Sequence, residues 1–148
     1  RAAGAVIAAR ALGEASDDAP WGRHVATADH RAAPQVVFSD PQVASVGLTA
    51  EAAREAGLAV RVVDAPLGGV AGAALHRDGY EGRARMVLDD ERGVIVGMTF
   101  VGPEVAELLH AATIAVVGEV PVDRLWHDVP AYPTISEVWL HLLQQLEG

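Results

Sequence analysis

The chain has 148 residues, of which 51% are hydrophobic and 21% charged, enough for one compact domain with its own core. Its formal net charge of -9 repels phosphate backbones and anionic lipid, so nucleic-acid and membrane-surface binding are not expected. Cysteine is absent, which excludes disulfides, thiolate metal sites and a thiol nucleophile within these residues, and no apolar run is long enough to span a bilayer. The 11 basic residues are all arginine and alanine is abundant, a composition expected of a GC-rich bacterial genome.

In chain order, residues 1–13 read as a short amphipathic helix built on Val6, Ile7, Ala9 and Leu12, stopped by Gly13. Residues 14–33 are polar, interrupted by Pro20 and Gly22, and read as a linker. Two short strands follow at 35–38 and 42–46 around a Ser39-Asp40-Pro41 turn. Thr49 is placed to cap a helix over 50–56 that Gly57 ends. Residues 58–65 are β-branched and strand-like, and Gly68-Gly69-Val70-Ala71-Gly72 reads as a flexible connection. Strands at 83–88 and 94–101 are joined by a polar turn ending in Gly93, a hairpin signal. The second of these is apolar at nearly every position, which predicts the central strand with both faces covered.

Pro103 is expected to open a helix running to 117, with Glu104 and Glu107 at its positive end and Gly118 closing it. That helix is apolar nearly all round, so one side should meet its own domain and the other a partner. The last helix, 134–146, puts Ile135, Val138, Trp139, Leu142, Leu143 and Leu146 on one face. Leu140 falls on the wet face and is a candidate subunit contact. Strands followed by helices predict an α+β fold, a mainly antiparallel sheet with helices packed on one face.

Chemistry-bearing patterns are few. The glycine cluster at 68–72 lacks the G-x-G-x-x-G spacing that lets backbone approach a pyrophosphate, so it reads as a structural turn. Glu107-Leu108-Leu109-His110 has the E-x-x-H spacing of helix-borne metal ligands, but such sites need a second copy, and Glu137 with His141 is at i,i+4. No metal site is therefore expected, and a metal-dependent enzyme using Glu107 and His110 is the weakest alternative. His24, His30 and His76 are isolated and read as surface histidines. Thr134 and Glu137 form a T-x-x-E capping box, which accounts for the glutamate without any catalysis.

Ala131-Tyr132-Pro133-Thr134-Ile135-Ser136-Glu137, taken with Phe38-Ser39-Asp40-Pro41 and Val46-Gly47, carries a resemblance. The chain resembles the C-terminal dimerisation domain of FAD-dependent pyridine nucleotide-disulfide oxidoreductases, the group of lipoamide dehydrogenase, glutathione reductase and mercuric reductase. Gly82-Arg83-Ala84-Arg85, Val96-Gly97 and Val101-Gly102 extend the likeness over roughly residues 34–147. The resemblance implies that 34–148 is the dimerisation domain and that 1–33 ends a preceding FAD domain and its linker. It implies a cytoplasmic homodimeric parent that binds FAD and NAD(P)H, carries its redox cysteines elsewhere, and loses both cofactors and turnover in this fragment.

In that family the loop resembles His-x-His-Pro-Thr-x-Ser-Glu and reaches the FAD domain of the partner subunit, where the second histidine is the acid/base for a dithiol, oriented by the glutamate. Pro133, Thr134, Ser136 and Glu137 match; Tyr132 stands at the catalytic histidine and Pro130 at the first. The resemblance therefore marks Tyr132 and Glu137 as catalytic candidates and Tyr132 and Pro133 as cofactor contacts. A phenol, with an ordinary pKa of about 10, is a poor base near neutrality where an imidazole at about 6.5 would serve, yet it still donates a hydrogen bond. This is more similar to mercuric reductase, and His127, five residues upstream, is an alternative proton carrier. The missing histidine and cysteines also admit a different class of function, a non-catalytic homodimeric interaction module that retains the fold.

Overall fold

In a computed structural model, which describes residues 1–147, five strands form a single antiparallel sheet. They are β1 (Gln35–Val37), β2 (Gln42–Gly47), β3 (Val60–Pro66), β4 (Arg83–Asp89) and β5 (Val94–Gly102), in the order β1-β2-β5-β4-β3. The strand of nearly continuous apolar character, β5, is the central one, as its composition predicts. Its hairpin with β4 closes through Gly93, which sits at φ 61, a left-handed turn that glycine adopts without a Cβ clash.

Register explains the core. Ala44, Phe100, Ala84 and Ala65 lie in one cross-strand row, and Val46, Met98, Met86 and Val63 in the next. All eight are buried. Three alanines beside Phe100 leave the space that its ring fills, so small and large side chains interlock rather than collide. Helices α5 (Leu109–Val117) and α7 (Val138–Gln144) cover this face, with Ala112, Ala115, Val138 and Leu142 buried against it.

The opposite face carries Ser45, Thr99, Arg85 and Asp64 in one row and Val43, Val101, Arg83 and Pro66 in another. Thr99 and Val101 are only half-buried, which corrects the expectation that both faces of β5 are covered. Threonine and valine read as apolar strand formers in sequence, but here they suit an open face that they share with arginines. Arg85 grips Asp64 with two bonds of 2.8 Å, and this hydrogen bonding holds the Asp64 carboxyl below its usual range despite partial burial. Only one end of the face is covered. Gly97 lets the chain cross there, since a Cβ would stand 1.9 Å from the Leu48 carbonyl oxygen. The short helix α3 (Ala50–Glu55) follows, with the Thr49 hydroxyl accepting the Ala52 N–H at 3.1 Å.

Two expectations about segments change. The helix predicted over 103–117 is broken: Glu104 takes φ 56, a 3-10 turn spans Val105–Leu108, and α5 begins only at Leu109. Gln42 Oε1 on the neighbouring strand accepts the Ala106 N–H at 3.2 Å, meeting from the sheet a donor that the first turn leaves free. Similarly, helix α1 (Ala2–Leu12) ends at Gly13 as expected, but 14–33 is more than a linker. It holds helix α2 (Thr27–Arg31), buries Ala32, and packs Trp21 against the core with its indole N–H on Glu119 at 3.2 Å. Among the described residues no helix is long and apolar enough to cross a membrane.

Candidate functional site

The C-terminal tail leaves the short helix α6 (Val122–Leu125) through two backbone turns, His127 N–H to Arg124 O at 2.9 Å and Asp128 N–H to Leu125 O at 3.0 Å. It then runs without repeating structure to Pro133, whose bond to Tyr132 is cis. Thr134 ends the run. Its hydroxyl donates to Ala131 O at 2.6 Å, and its N–H donates to Glu137 Oε2 at 3.2 Å, the glutamate's half of the capping box predicted from T-x-x-E.

Glu137 has a second partner that the spacing does not show. The same Oε2 accepts the Gly72 N–H at 3.1 Å, from a residue 65 positions away. Gly72 is an ordinary helical residue in its angles, φ -63 and ψ -22, so its glycine is not needed for backbone freedom. It is needed for space: a Cβ would lie 2.0 Å from the Thr134 carbonyl carbon and 2.4 Å from Ile135 N. Gly68 likewise presses on Tyr80 O, 2.3 Å from where its Cβ would be. The cluster read as a flexible connection is thus packed on both sides, with Leu67–Gly69 forming a 3-10 turn and Ala73–His76 the short helix α4.

Helix α4 continues the support. His76 Nδ1 lies 3.0 Å from Glu104 Oε2, and its ring meets Tyr80 edge-on at 6.0 Å, which corrects the reading of His76 as isolated. The Tyr80 hydroxyl donates to Pro103 O at 2.6 Å, and burial, then the nearby Glu104 charge, pushes its pKa up. His24, also read as a surface residue, has its Nδ1 accepting the Asp17 N–H at 2.7 Å.

The tip of the loop is different. Tyr132 is 78% exposed and Val129 82%, and the Tyr132 hydroxyl makes no hydrogen bond among the described residues. Glu137 is half-buried at the base. The structure therefore joins Glu137 to Thr134 and Gly72 but does not join it to Tyr132. His127 is exposed on the stem. Such an arrangement offers a phenolic O–H to a group presented from outside, on a base held by one carboxylate oxygen and two backbone N–H groups.

The glycine cluster at 68–72 does not fit a pyrophosphate: Gly68 and Gly72 both face protein backbone, and the Gly72 N–H is spent on Glu137. Tyr132 and Pro133, which the resemblance marks as cofactor contacts, are both exposed at the tip. Glu107 and His110 are both exposed, and the described residues contain no group of three or more histidine and acidic side chains arranged to hold a metal. Exposed apolar side chains occur on the helices as well: Ile114 is 57% and Leu140 38% exposed. Gly72 is the residue that sequence reasoning missed. Its only signal is membership of a glycine cluster, which cannot reveal a neighbour so distant along the chain.

Residues 33–143 match the family described as pyridine nucleotide-disulphide oxidoreductase, dimerisation domain. The chain is 39% identical over 104 residues to the dihydrolipoyl dehydrogenase of Thermus scotoductus, an alignment covering 70% of this chain and 22% of that protein. It is 36% identical over 121 residues to the dihydrolipoyl dehydrogenase of Mycobacterium tuberculosis, covering 81% and 26%. Among solved structures, LpdA from Mycobacterium tuberculosis superposes with a TM-score of 0.75 at 25% identity, over 97% of this chain and 29% of that one. The HOCl-induced flavoprotein disulfide reductase RclA from Escherichia coli gives 0.74 at 23% identity over 95% and 30%, a likeness of fold. The chain thus spans about a quarter of the length of the curated relatives it matches.

Proposed function

The chain belongs to the pyridine nucleotide-disulphide oxidoreductase dimerisation-domain family, and from that premise we propose that it is the dimerisation domain of a homodimeric, NAD(P)H-linked flavoprotein disulfide oxidoreductase. Its C-terminal loop completes the active site on the FAD domain of the partner subunit. The observation that carries this reading is the anchored loop with an exposed tip: Glu137 fixes the base, while Tyr132 and Pro133 stand in solvent. Residues 1–33 are the end of the FAD domain and the connection to this one, and the parent is a cytoplasmic bacterial enzyme.

In this reading the parent's FAD and NAD(P)H supply the electron transfer from sites outside these residues. Tyr132 supplies a hydrogen bond, and at need a proton, to the acceptor atom being reduced. Glu137 is a positioning residue, since its carboxylate is spent on the backbone N–H groups of Thr134 and Gly72. The fragment alone has no turnover, and it self-associates through the α5 and α7 surfaces, where Ile114 and Leu140 remain exposed.

Expression of the full-length protein tests the proposal. A yellow dimer with bound FAD that oxidises NADH or NADPH in the presence of a disulfide or related acceptor is expected. A colourless, inactive full-length protein would reject it.

A further inference from the structure

A second candidate site lies at the far end of β5. A cleft of about 440 Å³ opens there between the 14–33 segment and the sheet, lined by Trp21, Arg31, Leu58, Arg92, Val96 and Glu119 among others. The loop site sits near the Gly102 end of the same nine-residue strand, so at about 3.3 Å per residue the two are roughly 26 Å apart along it. The cleft is within the size range of small-ligand sites, and its apolar walls are interspersed with polar and charged groups.

Two observations single it out. Trp21 (φ 64) and Glu119 (φ 44) are two of the three non-glycine residues with positive φ, and they are bonded to each other, indole N–H to carboxylate at 3.2 Å. Strained backbone of this kind persists where surrounding structure over-determines it and gathers at ligand-binding places. The second observation is charge. Arg92 is spent on Glu119 at 2.8 Å, whereas Arg31 makes no hydrogen bond or ion pair among the described residues while lining the same cleft. The Arg31 guanidinium, whose charge helps to hold the Glu119 carboxyl low, thus keeps its N–H groups free beside the apolar walls.

We propose that this cleft binds a small monoanionic carboxylate with an aromatic or branched apolar body. The planar fork of Arg31 matches a carboxylate through two parallel bonds, and the indole of Trp21 and the side chains of Leu58 and Val96 receive the apolar part. A dianion is less suited, because Glu119 stands in the same cleft and the chain as a whole carries -9.

The test titrates the ¹⁵N-labelled chain with 3-phenylpropionate, and in parallel with neutral 3-phenylpropanamide, while following the Trp21 indole N–H, assigned by its loss in Trp21→Phe. A saturable shift of that signal is expected, with the acid binding at least about tenfold tighter than the amide and Arg31→Gln weakening the acid by about tenfold or more, the usual worth of a charged hydrogen bond. The melting temperature of Arg31→Gln should stay close to that of the parent chain, since Arg31 makes no hydrogen bond or ion pair among the described residues. No saturable shift at Trp21, equal affinity for the amide, or undiminished binding by Arg31→Gln would each overturn the proposal. So would a full-length protein that fails to bind, because its preceding chain would then cover the cleft.

Discussion

Replacing Gly72 with alanine puts the packing of the loop base to a direct test. At φ -63 and ψ -22 an alanine is conformationally welcome, and by restricting the unfolded chain alone it should stabilise by about 0.4–1 kcal/mol. Sterics oppose this. The new Cβ would sit 2.0 Å from Thr134 C and 2.4 Å from Ile135 N, backbone atoms that cannot rotate away, and overpacking of this kind costs about 1–3 kcal/mol. Relieving the clash means moving the tail off, which breaks the 3.1 Å bond from Gly72 N–H to the Glu137 carboxylate, worth about 1.5–3 kcal/mol. The net expectation is a loss of about 2–5 kcal/mol. Gly69→Ala is the control: its nearest neighbour would be Pro66 Cγ at 3.6 Å, ordinary contact distance, so it should be neutral or slightly stabilising. Urea denaturation followed by tryptophan fluorescence measures both, and Trp139, buried on α7, reports the tail. If Gly72→Ala proves as stable as Gly69→Ala, the close approach of Gly72 to Thr134 is not a feature of the molecule.

Other expectations follow from the same contacts. Glu137→Ala should cost about 1–3 kcal/mol by orphaning the Thr134 and Gly72 N–H groups, and limited proteolysis should then cut faster between 129 and 134. Tyr132→Phe should leave the melting curve unchanged, within about 0.5 kcal/mol, because its hydroxyl holds nothing in the fold. In the full-length enzyme the same change should slow acceptor reduction by about a hundredfold; an unaltered rate would remove Tyr132 from the chemistry. Leu140→Asp and Ile114→Asp should shift sedimentation toward monomer, and an unchanged profile would place self-association elsewhere. On acid titration, Asp64 and Glu119 are both held below their ordinary range, Asp64 by its bond to Arg85 and Glu119 by its bonds to Arg92 and Trp21. Depressed carboxyls stabilise the fold above their unfolded values of about 4 and lose that contribution as pH falls through the lowered folded values. The double variant Asp64→Asn, Glu119→Gln should therefore show a shallower fall in stability below about pH 4 than the parent chain, and parallel curves would refute the assignment.

What the sequence makes legible is what neighbours along the chain decide. The Thr49 cap, the Gly93 hairpin, the apolar centre strand and the T-x-x-E box each depend on contacts within a few residues or one strand, and each stands in the structure. The features that escape depend on partners far away. Gln42 accepts the Ala106 N–H across 64 residues, Gly72 meets Glu137 across 65, and Trp21 docks the supposed linker onto Glu119 across 98. None of these leaves a periodic trace, because a single side-chain or backbone bond has no repeat. The open face of the sheet escaped for another reason: Thr99 and Val101 suit an exposed strand position as well as a buried one, so composition could not tell which it was.

The loop pairs a fixed stem with an exposed tip, and the pairing bears on how tightly a partner could bind. Ordering one residue of backbone costs about 1–2 kcal/mol, so a free segment from 129 to 133 would forfeit several kcal/mol on docking. Here the bonds of Thr134 to Ala131 and of Glu137 to Thr134 and Gly72 already limit that freedom before any contact is made. Preorganisation of this kind raises affinity without adding a contact, by reducing what association must order. In the proposed homodimer, then, Gly72 should matter twice, once for the stability of the fold and once for the strength of a subunit contact that it never touches. A weakening of dimerisation by Gly72→Ala, measured under conditions where the monomer remains folded, is the mark of that second role.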